Sequence, residues 1–135
     1  GKCITAYDVA WALSIGADFV NSARGFMLAL GCIQSLQCNR NTCPTGITTQ
    51  NPKLQRGLVV TDKSEKVAHY ARNVMHEVGI IAHSCGVDDP RQLDRSHCRI
   101  VGDDGISMPL EKLFPYPAAA QSPAGPGAHA NMDAG

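Results

Sequence analysis

Three cysteines, Cys32, Cys38 and Cys43, stand within twelve residues of one another in a C-x5-C-x4-C spacing that closes on Pro44. No other feature restricts the chain as much. Thiolates this close in sequence meet at one inorganic centre only if the backbone between them turns back on itself, and Pro44 stiffens the last of those turns. Each iron of a cluster takes one cysteine, so three cysteines suggest three protein-held irons. Zinc sites commonly use cysteine pairs about two to four residues apart, and bacterial ferredoxins use a tighter run. The spacing alone therefore leaves an iron–sulfur centre, a zinc site and inert buried thiols all open.

Charge narrows the partners. Lys and Arg total 12, as do Asp and Glu, so there is no basic field to attract nucleic acid. The longest apolar stretch, residues 26–33, is far shorter than the roughly 20 residues that span a bilayer, and the first residues lack a charged-then-apolar leader pattern. Neither nucleic acid nor membrane is expected as a partner, and a cytoplasmic setting is the default. Thiols are kept reduced there, so Cys3, Cys85 and Cys98 are expected to pack as small hydrophobes. A length of 135 residues with 44% hydrophobic content would in principle allow one domain with its own core.

Local signals divide the chain. Thr5 with Asp8 three residues on predicts a capped helix that Gly16 ends. Residues 18–21 read as a short strand, and residues 24–37 as a second helix with Phe26, Met27, Leu30 and Ile33 on one face. Residues 38–50, rich in Asn, Thr, Pro and Gly, read as a loop able to wrap a cluster. Asp62 or Ser64 would cap a long helix reaching about Ser84, with Val67, Ala71, Val74, Val78 and Ile81 as its inward stripe and Gly86 as its stop. Asp89-Pro90 opens a short helix, and residues 109–113 form another turn. His69, His76 and His83 lie seven apart, two helical turns and too far for one ion, so they read as the flank of a packed helix. From residue 117 the chain is Ala, Pro, Gly and polar residues, which predicts a disordered tail.

The residues around the cysteines carry more. Gly16-Ala-Asp, Gly31-Cys-Ile, Asn41-Thr-Cys-Pro-Thr-Gly-Ile-Thr-Thr-Gln and Leu54-Gln-Arg-Gly closely resemble the C-terminal part of the FMN-binding domain of glutamate synthases. The resemblance runs over about residues 1–101 and is strongest over 16–50. It implies an α/β fold, the C-terminal part of a (β/α)8 TIM barrel of the FMN-linked type, followed by a helical extension. Residues 1–37 would be the last strand–helix units, 38–50 the cluster loop, 51–116 the extension and 117–135 the tail. Gly1, which stands where a methionine would begin a complete protein, would lie near the end of the seventh strand. The chain is then expected to be a C-terminal fragment with most of the barrel absent.

The same resemblance implies a [3Fe-4S] cluster on Cys32, Cys38 and Cys43, with Arg40 and Lys53 bordering its loop. It also places the FMN phosphate between Gly1 and Lys2 on one side and Asn21, Ser22, Ala23 and Arg24 on the other. Glutamate synthases usually read Gly-Gly and Gly-x-Gly there; Lys2, Asn21 and Ala23 depart from that pattern. Lys2 and Arg24 would compensate with charge and Ser22 with a hydroxyl, while Asn21 is one of the few residues at ease at positive φ. The implied reaction is reductive amination of 2-oxoglutarate to L-glutamate. Its nitrogen would be ammonia, free or glutamine-derived, and its electrons would come from a reduced pyridine-nucleotide subunit or a ferredoxin. The fragment alone is expected to be inactive. Two alternatives stand beside this: an FMN and iron–sulfur oxidoreductase acting on another substrate, and a zinc-binding scaffold module.

Overall fold

The computed structural model describes residues 2–117; Gly1 and the expected tail beyond residue 117 lie outside the described residues. What it describes is mostly helical. Five helices, α1 (Ala6–Ser14), α2 (Ala23–Ala29), α3 (Pro52–Gln55), α4 (Val60–Ser84) and α5 (Leu110–Leu113), are joined by short 3-10 turns and one hairpin of β1 (Arg99–Val101) and β2 (Ser107–Pro109).

Helix α1 forms as its ends dictate. The Thr5 hydroxyl accepts from the Asp8 N–H at 3.2 Å, and the Asp8 carboxylate accepts from the N–H groups of Ile4 and Thr5 at 3.0 and 2.9 Å. These bonds hold the Asp8 carboxyl below its ordinary range, the Thr5 N–H contributing most. At the far end Gly16 takes φ +109°, and the Gly16 and Ala17 N–H groups return to Leu13 and Ala12 carbonyls.

Helix α2 is shorter than the 24–37 expected from its apolar pattern. Gly31, at φ +97°, stops it: the Gly31 N–H bonds the Leu28 carbonyl at 2.9 Å and the Cys32 N–H bonds the Met27 carbonyl at 3.0 Å. Ile33 is thereby left outside the helix and 65% exposed. Residues 18–21 do not form the expected strand. A strand exists only where a ladder partner satisfies its backbone, and the hairpin is the sole sheet among the described residues. The described part accordingly contains no barrel.

Helix α4 is the organising element, 25 residues long, or about 37 Å at 1.5 Å per residue. It begins earlier than expected, at Val59 with no side-chain cap, while Asp62 in its first turn pairs with Lys66 at 3.0 Å. Its predicted stripe faces inward, with Val78 buried and Val67, Ala71, Val74 and Ile81 partly so; Ala82, outside that stripe, is buried as well. Ala10 of α1, Ala82 of α4 and Leu93 form the central cluster, with Leu13, Ile81 and Val87 packed around it. The two alanines let the helices approach closely. His69, His76 and His83 lie on the exposed flank.

The other end of α4 is held by Tyr70. Its hydroxyl donates to the Ile4 carbonyl at 2.6 Å and lies 2.7 Å from the Ser22 hydroxyl, which donates to the Cys3 carbonyl at 2.5 Å. Two hydroxyl protons thus serve three short contacts. Phe26 meets the Tyr70 ring edge-on at 5.1 Å between centroids. Gly25 is buried beneath it, where a Cβ would collide with the Tyr70 and Ser22 hydroxyls.

Beyond α4, Asp89 caps the turn Pro90–Gln92, accepting from the Arg91 N–H at 2.8 Å while the Arg91 guanidinium pairs with its carboxylate at 2.6 Å. The Arg91 side chain is the main reason the Asp89 pKa falls to about 2. The hairpin turns at Asp104-Gly105, with Gly105 at φ +76° and the Asp104 carboxylate accepting from the Ile106 N–H at 2.9 Å.

Two outcomes follow from this packing. Gly25→Ala should destabilise the intact protein by about 1–3 kcal/mol through overpacking. Combined with Tyr70→Phe, which removes one of the colliding oxygens and its hydrogen bonds, the loss should be smaller than the sum of the two single losses; urea unfolding of the single and double variants checks the coupling. The Asp89 carboxyl, depressed in the fold, contributes stability that is complete above about pH 4 and is lost as pH falls through about 2. Arg91→Gln should move its titration midpoint, followed by NMR chemical shift, up towards 3.8.

Candidate metal centre

The three cysteines are placed by three different devices. Cys32 is the third residue past α2, anchored through its N–H to Met27, and its sulfur accepts from the Gln34 N–H at 3.4 Å. Cys38 opens the 3-10 turn Cys38–Arg40 and is exposed. Cys43 is buried, 6% exposed, in the turn that runs to Gly46. There the Gly46 N–H returns to the Cys43 carbonyl at 3.2 Å, and Pro44 sets the first central position of the turn.

Hydrogen bonds close the loop that holds Cys43. Asn41, left-handed at φ +59°, accepts from the Gln50 N–H on its side chain at 2.6 Å and from the Thr49 hydroxyl on its carbonyl at 2.7 Å. The Gln55 amide of α3 donates to the Thr49 carbonyl at 2.9 Å. Gly46, at φ +80°, presses on the backbone of Leu54, where a Cβ has no room. The loop is therefore pinned at both ends and against α3.

Within it the Cys43 sulfur lies 3.3 Å from the Thr45 hydroxyl. That hydroxyl, then the backbone N–H and hydroxyl of Thr48, favour the thiolate over burial and lower the Cys43 pKa from 9.0 to about 6. The Thr48 hydroxyl is itself buried and completes no hydrogen bond of good geometry. Sequence reasoning found the cysteines but missed these threonines. The signal was present, since hydroxyl residues two and five positions after a cysteine in a tight turn reach back to it.

Among the described residues, no three His, Cys, Asp or Glu side chains come close enough to share one ion. The structure therefore does not gather the three sulfurs around a common point. Their donor chemistry nevertheless fits an iron–sulfur centre: none of the six cysteines is in a disulfide, Cys32 and Cys43 already receive N–H or O–H donors, and Thr48 has an unsatisfied hydroxyl beside the sulfur. The backbone between the first two cysteines is unusual, with Gln34 and Leu36 at φ +55° and +56°. Non-glycine residues hold such angles at a cost, and such residues cluster at ligand sites.

The residues expected at the FMN phosphate are only partly described. Gly1 lies outside the described residues. Lys2 is left-handed at φ +68°, whereas Asn21, expected there, is not. The Ser22 hydroxyl is engaged by Cys3 and Tyr70. Ala23 opens α2, and Arg24 is exposed in its first turn with no hydrogen bond or ion pair among the described residues. Arg40 and Lys53 are exposed at the edges of the cysteine loop. No helix described is long and apolar enough to cross a membrane.

Similarity to known proteins gives the family. The conserved region in glutamate synthase matches residues 1–88. The glutamate synthase large subunit-like protein YerD of Bacillus subtilis is 38% identical over 114 residues, 84% of this chain and 22% of its own length. An archaeal-type glutamate synthase (NADPH) of Thermotoga neapolitana is 33% identical over 80% of the chain and 22% of its own, and an archaeal glutamate synthase (NADPH) of Methanocaldococcus jannaschii is 30% identical over 78% and 21%. The chain thus spans about a fifth of the length of these relatives. No solved structure matches it. With the family pattern covering α1 to α4, the cysteine loop and the Tyr70 contacts, the chain belongs to the glutamate synthase family.

Proposed function

We propose that this chain is the cluster-bearing part of a glutamate-synthase-like oxidoreductase, with Cys32, Cys38 and Cys43 as thiolate ligands of a [3Fe-4S] cluster. The observation that carries the reading is the state of Cys43. It is buried in the pinned loop with its sulfur 3.3 Å from the Thr45 hydroxyl, and that hydroxyl together with the Thr48 groups lowers its pKa to about 6, favouring the thiolate form that binds metal. The Gln34 N–H donates to the Cys32 sulfur at 3.4 Å, and Cys38 is exposed to solvent.

FMN would lie on the side of Gly1, Lys2, Asn21, Ser22, Ala23 and Arg24. Arg24, uncommitted among the described residues, would meet the phosphate with charge, while the Ser22 hydroxyl holds the Cys3 backbone in place and keeps lone-pair capacity only. When bound, the two groups would supply one-electron transfer and hydride delivery for reductive amination of 2-oxoglutarate to L-glutamate. Ammonia, free or glutamine-derived, would be the nitrogen source, and a reduced pyridine-nucleotide subunit or ferredoxin in the cytoplasm would be the electron donor. The chain's own part is to bind, orient and tune.

The intact protein, purified without oxygen, should carry about three irons per chain. Cys38→Ser should abolish the cluster, whereas Cys85→Ser, at the exposed C-terminal cap of α4, should leave iron content and paramagnetic resonance unchanged. Stoichiometric zinc without iron would overturn the assignment. Arg24→Ala should weaken FMN retention by roughly tenfold or more, the loss expected for one charge-assisted hydrogen bond of about 1.5–3 kcal/mol. Fluorescence titration of the flavin-free protein measures it, and an unchanged affinity would return Arg24 to the solvated surface.

A further inference from the structure

Lys63 occupies a place where the pattern of α4 asks for an apolar side chain. Counting back from Val67, Ala71, Val74, Val78 and Ile81, the next inward position is 63. The lysine there keeps 19% of its side chain exposed, against 54% for its neighbour Lys66. Its ammonium lies over Gly31, the residue before Cys32: a Cβ built on that glycine would stand 3.1 Å from Nζ. The carboxylate nearest to it among the described residues is Asp62 at 3.6 Å, and Asp62 is drawn more closely to Lys66, at 3.0 Å. A lysine whose side chain is this largely covered is steadied by an anion near its ammonium, and Asp62 at 3.6 Å is shared with Lys66.

We infer that Lys63 is the positive partner of an anionic centre on the Cys32 segment and, resting on the function proposed above, that it sets the reduction potential of the cluster bound there. One-electron reduction makes that centre one charge more negative. A fixed cation in a partly desolvated site therefore favours the reduced form over the oxidised one. Gly31 serves the same arrangement, because it stops α2 at positive φ and leaves room for the ammonium that a side chain would displace. The competing explanation is that Lys63 merely lays its aliphatic stem along apolar surface. Methionine keeps a comparable stem without the charge, so it separates the two.

The test is a redox titration of the intact iron-loaded protein with dithionite, following the cluster by paramagnetic resonance. Lys63→Met should shift the reduction equilibrium about tenfold towards the oxidised form, ~59 mV for one electron, while Lys63→Arg should stay near the wild-type value. Asp62→Asn, on an exposed turn, should shift the potential upwards, because it removes the anion that partly cancels Lys63. An unchanged potential in iron-replete Lys63→Met would overturn the inference and leave the cluster assignment standing. If Lys63→Met fails to accumulate, Asp62→Asn decides alone: a raised potential supports the role and an unchanged one overturns it. Absence of iron from the wild-type protein would remove both readings together.

Discussion

The hydroxyl of Tyr70 is the joint on which the N-terminal half depends. The segment before α1 and the turn before α2 have no sheet partner among the described residues, so their backbone groups need another anchor. Tyr70 supplies it by bonding the Ile4 carbonyl and touching the Ser22 hydroxyl, which in turn holds Cys3. Gly25 permits the approach and Phe26 seals its edge. Without this joint, α2 would lose its fixed relation to α4, and with it the position of Cys32 three residues beyond its end.

Small side chains dominate what is buried: Ala6, Ala10, Ala82, Val78, Leu93 and Leu110, with no large side chain fully enclosed. Meanwhile Phe19 is 77% exposed and Leu36 85%. Hydrophobic burial of this modest kind lets two helices touch, but the polar bonds at Tyr70 and across the cysteine loop do much of the positioning. Such bonds are directional where apolar packing is not, so they fix where the loop and helix ends lie more narrowly than the small core could.

The sequence was most legible where one residue decides one local event. Thr5, Asp8 and Gly16 bound α1, and Gly86 closes α4, because caps and stops are local chemistry. The apolar run over residues 24–37 reads as one helix, but Gly31 at positive φ ends it early, because one local stop outweighs a continuing apolar pattern. The strand expected over residues 18–21 could not be tested by pattern alone, since a strand requires a neighbour. The hairpin was overlooked although Asp104-Gly105 between two short β-forming runs is a strong local turn signal. At the candidate centre, the cysteines were visible by spacing and by family resemblance. Thr45, Thr48, Tyr70 and Lys63 were not, because their relevance depends on which atoms the fold brings beside sulfur, hydroxyl or glycine.

The separation between the partners of the Tyr70 joint also orders events during synthesis. Tyr70 follows Ile4 by 66 residues and Ser22 by 48, while every bond that closes the cysteine loop spans fewer than ten. A ribosome therefore releases all three cysteines, with the loop able to close upon itself, before the tyrosine that locks α2 against α4 has emerged. Short-range closure precedes long-range closure on entropic grounds as well. The nascent chain consequently passes through an interval in which the thiols are complete but their scaffold is unlocked, so the cysteine loop is the older and α2 the younger part of the folded arrangement.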